Sequence, residues 1–114
     1  MLVLPKVNEG GPITCTILAY DETDDLTLPI TMTYTVIDKL TKTVMQSGEL
    51  GDGTIDTDEL AKSVSVSISG ENNTIVDQKR PYERRLVIVT VNTNVMGIGE
   101  YQVDNVRSIL NAEP

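Results

Sequence analysis

The chain has no histidine, no tryptophan and no phenylalanine, a single cysteine, and tyrosine, four times, as its only aromatic residue. Each gap closes off a chemistry. With Cys15 alone no intrachain disulfide forms, and without histidine neither a Cys/His zinc site nor a histidine-based acid, base or nucleophile pair can be assembled. With only Tyr20, Tyr34, Tyr82 and Tyr101 available, a platform for stacking sugars is poorly supplied, and the core must be built from Val, Ile, Leu and Met. Cations are scarce: 9 Lys and Arg against 17 Asp and Glu leave a formal net charge of -8 over 114 residues. That balance repels phosphate backbones and anionic membrane surfaces, so neither nucleic acid nor membrane is an expected partner. Long apolar runs are missing as well. The opening MLVLPKVNEGGP has four apolar residues before Pro5, too few for a signal-peptide core or a membrane span, so export is not expected.

What is present is strand texture. Strict apolar/polar alternation marks half-buried strands. In PITMTYTVI, 29–37, it sets Ile30, Met32, Tyr34 and Val36 against threonines, and in SVSVSIS, 63–69, it sets Val64, Val66 and Ile68 against serines. RRLVIVTVNT, 84–93, is nearly continuous and β-branched, the pattern of a central strand covered on both faces. ITCTILAY, 13–20, alternates more loosely; KTVMQS, 42–47, and GEYQVDNVR, 99–107, are shorter candidates. Turn-rich connections, including NVMGIG, separate them. No window of helical length carries a helical period, although DTDELAKS, 56–63, fits one helical turn capped by Asp56 or Thr57. Six to eight short strands without long helices predict an antiparallel β-sandwich of the immunoglobulin or fibronectin type III kind. Length suffices for one core, which buries roughly two-thirds of the surface exposed by the unfolded chain. The expected layout is an N-terminal arm over 1–12, the sandwich over 13–108 and a C-terminal tail over 109–114.

Five features invite a chemical reading. GDGTIDTDEL, 51–60, resembles the back half of an EF-hand loop, with Asp52, Asp56 and Glu59 at ligand positions when Gly53 is the turn glycine. Gly48 and Leu50 then occupy the first two ligand positions and offer no side-chain oxygen. The flanking segments are strands, where the motif needs helices. A solvated turn is expected, with at most a weak divalent site among Asp52, Asp56, Asp58 and Glu59. DETDD, 21–25, has no apolar surroundings in sequence to desolvate one carboxyl of a catalytic pair, and so reads as a solvated acidic loop. Cys15 shares a strand face with Ile13 and Ile17 and reads as a small buried hydrophobe. Asn72-Asn73-Thr74 matches a glycosylation sequon. QKRPYERR, 78–85, gathers Lys79, Arg80, Arg84 and Arg85; these either pair locally, with Glu83 for example, or present a basic surface to the acidic loops of another copy or partner. No catalytic residue, metal or cofactor is expected.

The order of segments resembles small immunoglobulin-like proteins of tailed bacteriophages. The likeness lies in a loose first strand ending in an acidic turn (ILAYDETDDLTLP), a threonine-rich strand (TMTYTVIDKLTKTVMQSGEL) and an alternating strand with its turn (SVSVSISGENNTIV). A Glu-Arg-led strand (YERRLVIVTVNT) and a closing Tyr-x-Val strand (GEYQVDNV) complete it, covering roughly residues 13–106. The acidic loop at 49–60 has no counterpart in that layout. The resemblance implies a non-enzymatic virion protein, assembled in the host cytoplasm, that decorates a capsid or sits at a head-tail junction, collar or tail. Its partners would be other virion proteins, in many symmetric copies. Apolar residues Leu2, Val3, Leu4, Ile109 and Leu110 would anchor the two ends on neighbours. The alternatives are an adhesive or ligand-binding immunoglobulin-like module and a carboxylate-only glycosidase, for which a sandwich of this size leaves little room for a cleft.

Overall fold

The computed structural model describes residues 2–20, 23–92 and 94–106, and these form two facing β-sheets. The strands are β1 (Leu2–Val3), β2 (Val7–Asn8), β3 (Ile13–Tyr20), β4 (Leu26–Thr27), β5 (Met32–Asp38), β6 (Val44–Glu49), β7 (Ile55–Asp58), β8 (Ser63–Ile68), β9 (Tyr82–Val91) and β10 (Asn94–Asp104). One sheet runs β1-β10-β9-β5-β6, with β2 also on β10, and the other runs β4-β3-β8-β7. Placing β3, β8 and β7 opposite β5, β9 and β10 reproduces the division of strands in an immunoglobulin-like sandwich. The number of strands exceeds the range expected from sequence because β1, β2 and β4 are two-residue pairings.

Alternation set the core faces. Met32, Tyr34 and Val36 of β5 and Val87, Val89 and Val91 of β9 meet Cys15 of β3 and Val64, Val66 and Ile68 of β8, all buried. Ile30, expected on the same face as Met32, lies outside β5 and is 85 % exposed. The strand begins two residues later because the backbone amides of Ile30 and Thr31 both donate to the Asn92 side-chain oxygen, at 3.0 Å each, instead of to a strand. β9 is central, between β10 and β5. It is fully covered on one face only, since Leu86, Ile88 and Thr90 on the other are half-buried.

Three further expectations give way to the fold. β10 starts at Asn94, so the glycine-rich segment expected as a connection is strand; a register shift between Val95 and Gly97 absorbs the residue that breaks alternation. Residues 56–58 are not helical but complete β7, because Ile55 is buried against the core and pairs with Val66. Asp58 then caps the turn that follows, its carboxylate accepting the amides of Leu60 at 3.0 Å and Ala61 at 3.1 Å. At the N-terminus, residues expected as an arm lie along β10 instead, with Leu2 opposite Gly99 and Val7 opposite Val103, both pairings parallel. They cover an edge whose backbone groups would otherwise be unpaired. Ile109, Leu110 and the rest of the expected tail lie outside the described residues.

Candidate functional site

The sandwich has a first pole, where β5 ends and β9 begins, and a second pole, where β5 begins and β9 ends. The same alternation that buries valines carries charge into the first pole. Asp38 continues the inward series Met32, Tyr34, Val36, and Glu83 and Arg85 precede the inward series Val87, Val89, Val91; all three charged residues are 0 % exposed. The Arg85 guanidinium donates to Asp38 at 2.7 Å, to Glu83 at 3.0 Å and to the Thr74 carbonyl at 2.6 Å. Its Nε is the one buried side-chain polar atom without a partner among the described residues. Arg80 adds a second cation, 3.2 Å from Glu83 and 3.8 Å from Asp38.

The carboxylates are used in full. Glu83 accepts the backbone amides of Val76 at 2.7 Å and Asp77 at 2.9 Å, tying the 69–81 connection to β9. Asp38 accepts the Thr41 amide and hydroxyl, each at 2.9 Å. Burial alone would raise the Asp38 carboxyl, but the Thr41 hydrogen bonds and the charges of Arg85 and Arg80 outweigh it and hold the group below the ordinary carboxylate value. Next to the ion cluster, the Tyr101 hydroxyl donates to Asn73 at 2.6 Å, and the Asn73 amide donates to the Gly11 carbonyl at 2.8 Å. Burial pushes the Tyr101 phenol well above its usual value, against the opposing influence of Arg85. Gly70 packs so closely on the Gly10 carbonyl that a side chain there would collide with backbone.

This geometry resolves the basic segment. Arg85 and Arg80 belong to the interior cluster, while Arg84 lies outside it, 5.6 Å over the Tyr82 ring and 3.7 Å from Glu100. Glu100 also takes Lys39 at 3.1 Å. Local pairing therefore accounts for Arg80, Arg84 and Arg85, and of the segment's cations Lys79 and Arg84 are the exposed ones.

The acidic loops are turn chemistry. Asp52 accepts the Thr54 hydroxyl at 2.6 Å and amide at 2.8 Å through one oxygen, and the Glu49 amide at 2.8 Å through the other. Those bonds hold its exposed carboxyl below the usual range. Among the described residues no group of three or more His, Cys, Asp or Glu is arranged to hold a metal ion. In the 21–25 loop, Asp21 and Glu22 lie outside the described residues, and the Thr23 hydroxyl donates to Asp25 at 3.0 Å. Cys15 is buried and its thiol is pushed up to about 11 by desolvation, the opposite of an activated nucleophile. The sequon's Asn72 donates its amide to Gln46 at 2.9 Å. Of the tyrosines, Tyr34 and Tyr101 are core, and Tyr20 and Tyr82 are exposed.

Gln46 is a residue that no sequence pattern singles out. From β6 it crosses to the other sheet and treats β8 as a strand neighbour would: its amide nitrogen donates to the Ser67 carbonyl at 2.9 Å and its oxygen accepts the Ser69 amide at 3.1 Å. The same nitrogen donates to the Tyr34 hydroxyl at 2.6 Å, which in turn donates to Thr54 at 2.8 Å. β6 approaches this network closely enough that a Cβ on Gly48 would lie 2.7 Å from the Tyr34 ring.

Two hairpin tips share one build. Asp38-Lys39-Leu40-Thr41-Lys42 closes β5 to β6 at the first pole, and Asp58-Glu59-Leu60-Ala61-Lys62 closes β7 to β8 at the second. Each begins with an aspartate that accepts turn amides and ends with a lysine at positive φ, 64° at Lys42 and 52° at Lys62. Each places a leucine at its apex, 68 % exposed at Leu40 and 99 % at Leu60. Turn geometry accounts for the aspartates but not for the leucines, nor for lysine at a positive φ that favours glycine or asparagine.

No family model matches the chain, and no curated protein matches it. Solved structures do. The chain is similar to Drosophila OTK, extracellular domains 3-5, over 92 % of its own length and 33 % of that chain's, at 13 % identity and a TM-score of 0.36. It thus spans about a third of that structure.

Proposed function

We propose that the protein is a non-enzymatic structural component of a tailed-bacteriophage particle, a decoration or head-tail, collar or tail accessory subunit that binds other virion proteins in many copies. The sequence layout supports this reading. The observation that carries it is the disposition of chemically capable groups. Arg85, Asp38 and Glu83 are consumed inside the fold at 0 % exposure, whereas Ile30, Leu40 and Leu60 stand in solvent. A domain built in this way acts through the shape of its surface.

Gradient-purified particles test the reading by quantitative mass spectrometry. The chain is expected in the particle fraction at a fixed ratio to the major capsid or tail protein. Its presence in the infected-cell lysate together with its absence from particles would overturn the assignment.

A further inference from the structure

We infer that the first pole of one copy docks on the second pole of another, with Leu40 seated in an open pocket between β5 and β6. The pocket, about 150 Å³, is lined by Ile30, Thr31, Met32, Thr33, Glu49 and Leu50. The hollow is open to solvent, and its lining mixes the apolar Ile30, Met32 and Leu50 with the polar Thr31, Thr33 and Glu49. Its floor is the buried Met32, and one wall is Ile30, 85 % exposed. That wall is fixed by the two amides that donate to Asn92.

The occupant is named by charge and shape. Glu49 at the rim calls for a cation beside an apolar knob, and Leu40 is flanked by Lys39 and Lys42. Lys39 already pairs with Glu100, so Lys42 is the cation presented to Glu49. Leu60, the other exposed apex, stands between Glu59 and Lys62, whose charges cancel, whereas Leu40 stands between two lysines. The knob is as rigid as the hole: Asp38 holds the hairpin through Thr41, and the Lys42 amide donates to the Asp38 carbonyl at 2.8 Å. Two pre-formed surfaces lose little freedom on docking.

Knob and hole lie at opposite ends of the seven-residue β5, about 20 Å apart. A chain therefore cannot fill its own pocket. A contact between different patches on identical copies is heterologous and closes into a ring or runs on as a filament. This contact deepens the repeated-copy part of the functional reading and rests on it there, but the two stand on separate measurements.

Sedimentation and light scattering of the full chain over a concentration series read the contact directly. The wild type is expected to grow past two copies as concentration rises, less so in high salt. Leu40→Asp and Ile30→Glu, both at exposed positions, are each expected to weaken association at least roughly ten- to a hundredfold, the range set by burying one leucine. Leu60→Asp should leave it unchanged. Mixing the two disabled chains is the decisive arm. One keeps its hole and the other its knob, so they should form a one-to-one pair that grows no further. A wild type that stays monomeric to millimolar concentration, dissociation by Leu60→Asp in place of Leu40→Asp, or failure of the mixture to pair would each overturn the proposal. A chain that is present in particles yet monomeric and insensitive to Leu40→Asp would break the contact and leave the functional reading standing.

Discussion

The two poles of the sandwich close the same opening with different materials. At the first, three residues of zero exposure, Asp38, Glu83 and Arg85, fill the end of the core with charge, and their spare hydrogen-bonding capacity holds the 69–81 connection in place. At the second, a single side-chain oxygen on Asn92 gathers the amides of Ile30 and Thr31, and a hollow lined by both apolar and polar side chains is left open to solvent. The contrast teaches that buried charge here acts as a positional device. It fixes a long irregular connection that apolar packing alone would leave free to slide, and it does so only while all its members are present.

That contrast is easiest to break at Arg85. Arg85→Met should destabilise the fold by about 3–5 kcal/mol in urea unfolding, because Asp38 and Glu83 would be left buried with Arg80 as their only cation. A loss of less than about 1 kcal/mol, the scale of an exposed ion pair, would show that the pole is wetter than its geometry. Gln46→Ala comes next, at about 1–3 kcal/mol, since the Ser67 carbonyl, the Ser69 amide and the Tyr34 hydroxyl each lose a partner.

The pH response sharpens the comparison. Asp38 has its folded-state value below the ordinary one, so its contribution to stability is complete above the unfolded value near pH 4 and is lost as pH falls through the lowered value. The urea midpoint should therefore drop on acidification below about pH 4. The drop should shrink in Asp38→Asn, a substitution that removes the titrating group. The smallest effects belong to the second pole and the hairpin apices. Leu60→Asp and Ile30→Glu should change stability by no more than about 0.5 kcal/mol, because neither side chain is covered in the isolated chain.

Much of the fold was legible in the sequence. The alternation in 32–37 and 63–68 placed both the strands and their buried faces, and Cys15 sat where its neighbours' parity put it. The ion cluster was legible in principle by the same rule. Carrying the inward parity of Val87, Val89 and Val91 back to Arg85 and Glu83, and that of Val36 forward to Asp38, puts three charges on the core face. A β-branched run read as covered on both sides hides that parity. Other features depend on partners distant in sequence. Whether 56–58 forms a helical turn or a strand is decided by Val66 waiting for Ile55, and whether the N-terminus hangs free is decided by the exposed edge of β10. Gln46 is the extreme case, since its role exists only once two sheets face each other.

Asp52 carries one more consequence. Its own amide donates to the Glu49 carbonyl at 3.1 Å while its carboxylate takes the Glu49 amide, so this turn occupies both outward backbone groups at the end of β6. An uncovered edge of that kind invites indiscriminate strand-to-strand growth when a protein is made in large amounts. By taking up Glu49, the loop removes one attachment point from the end of that edge, which gives side-chain recognition more weight in deciding who the neighbours there are.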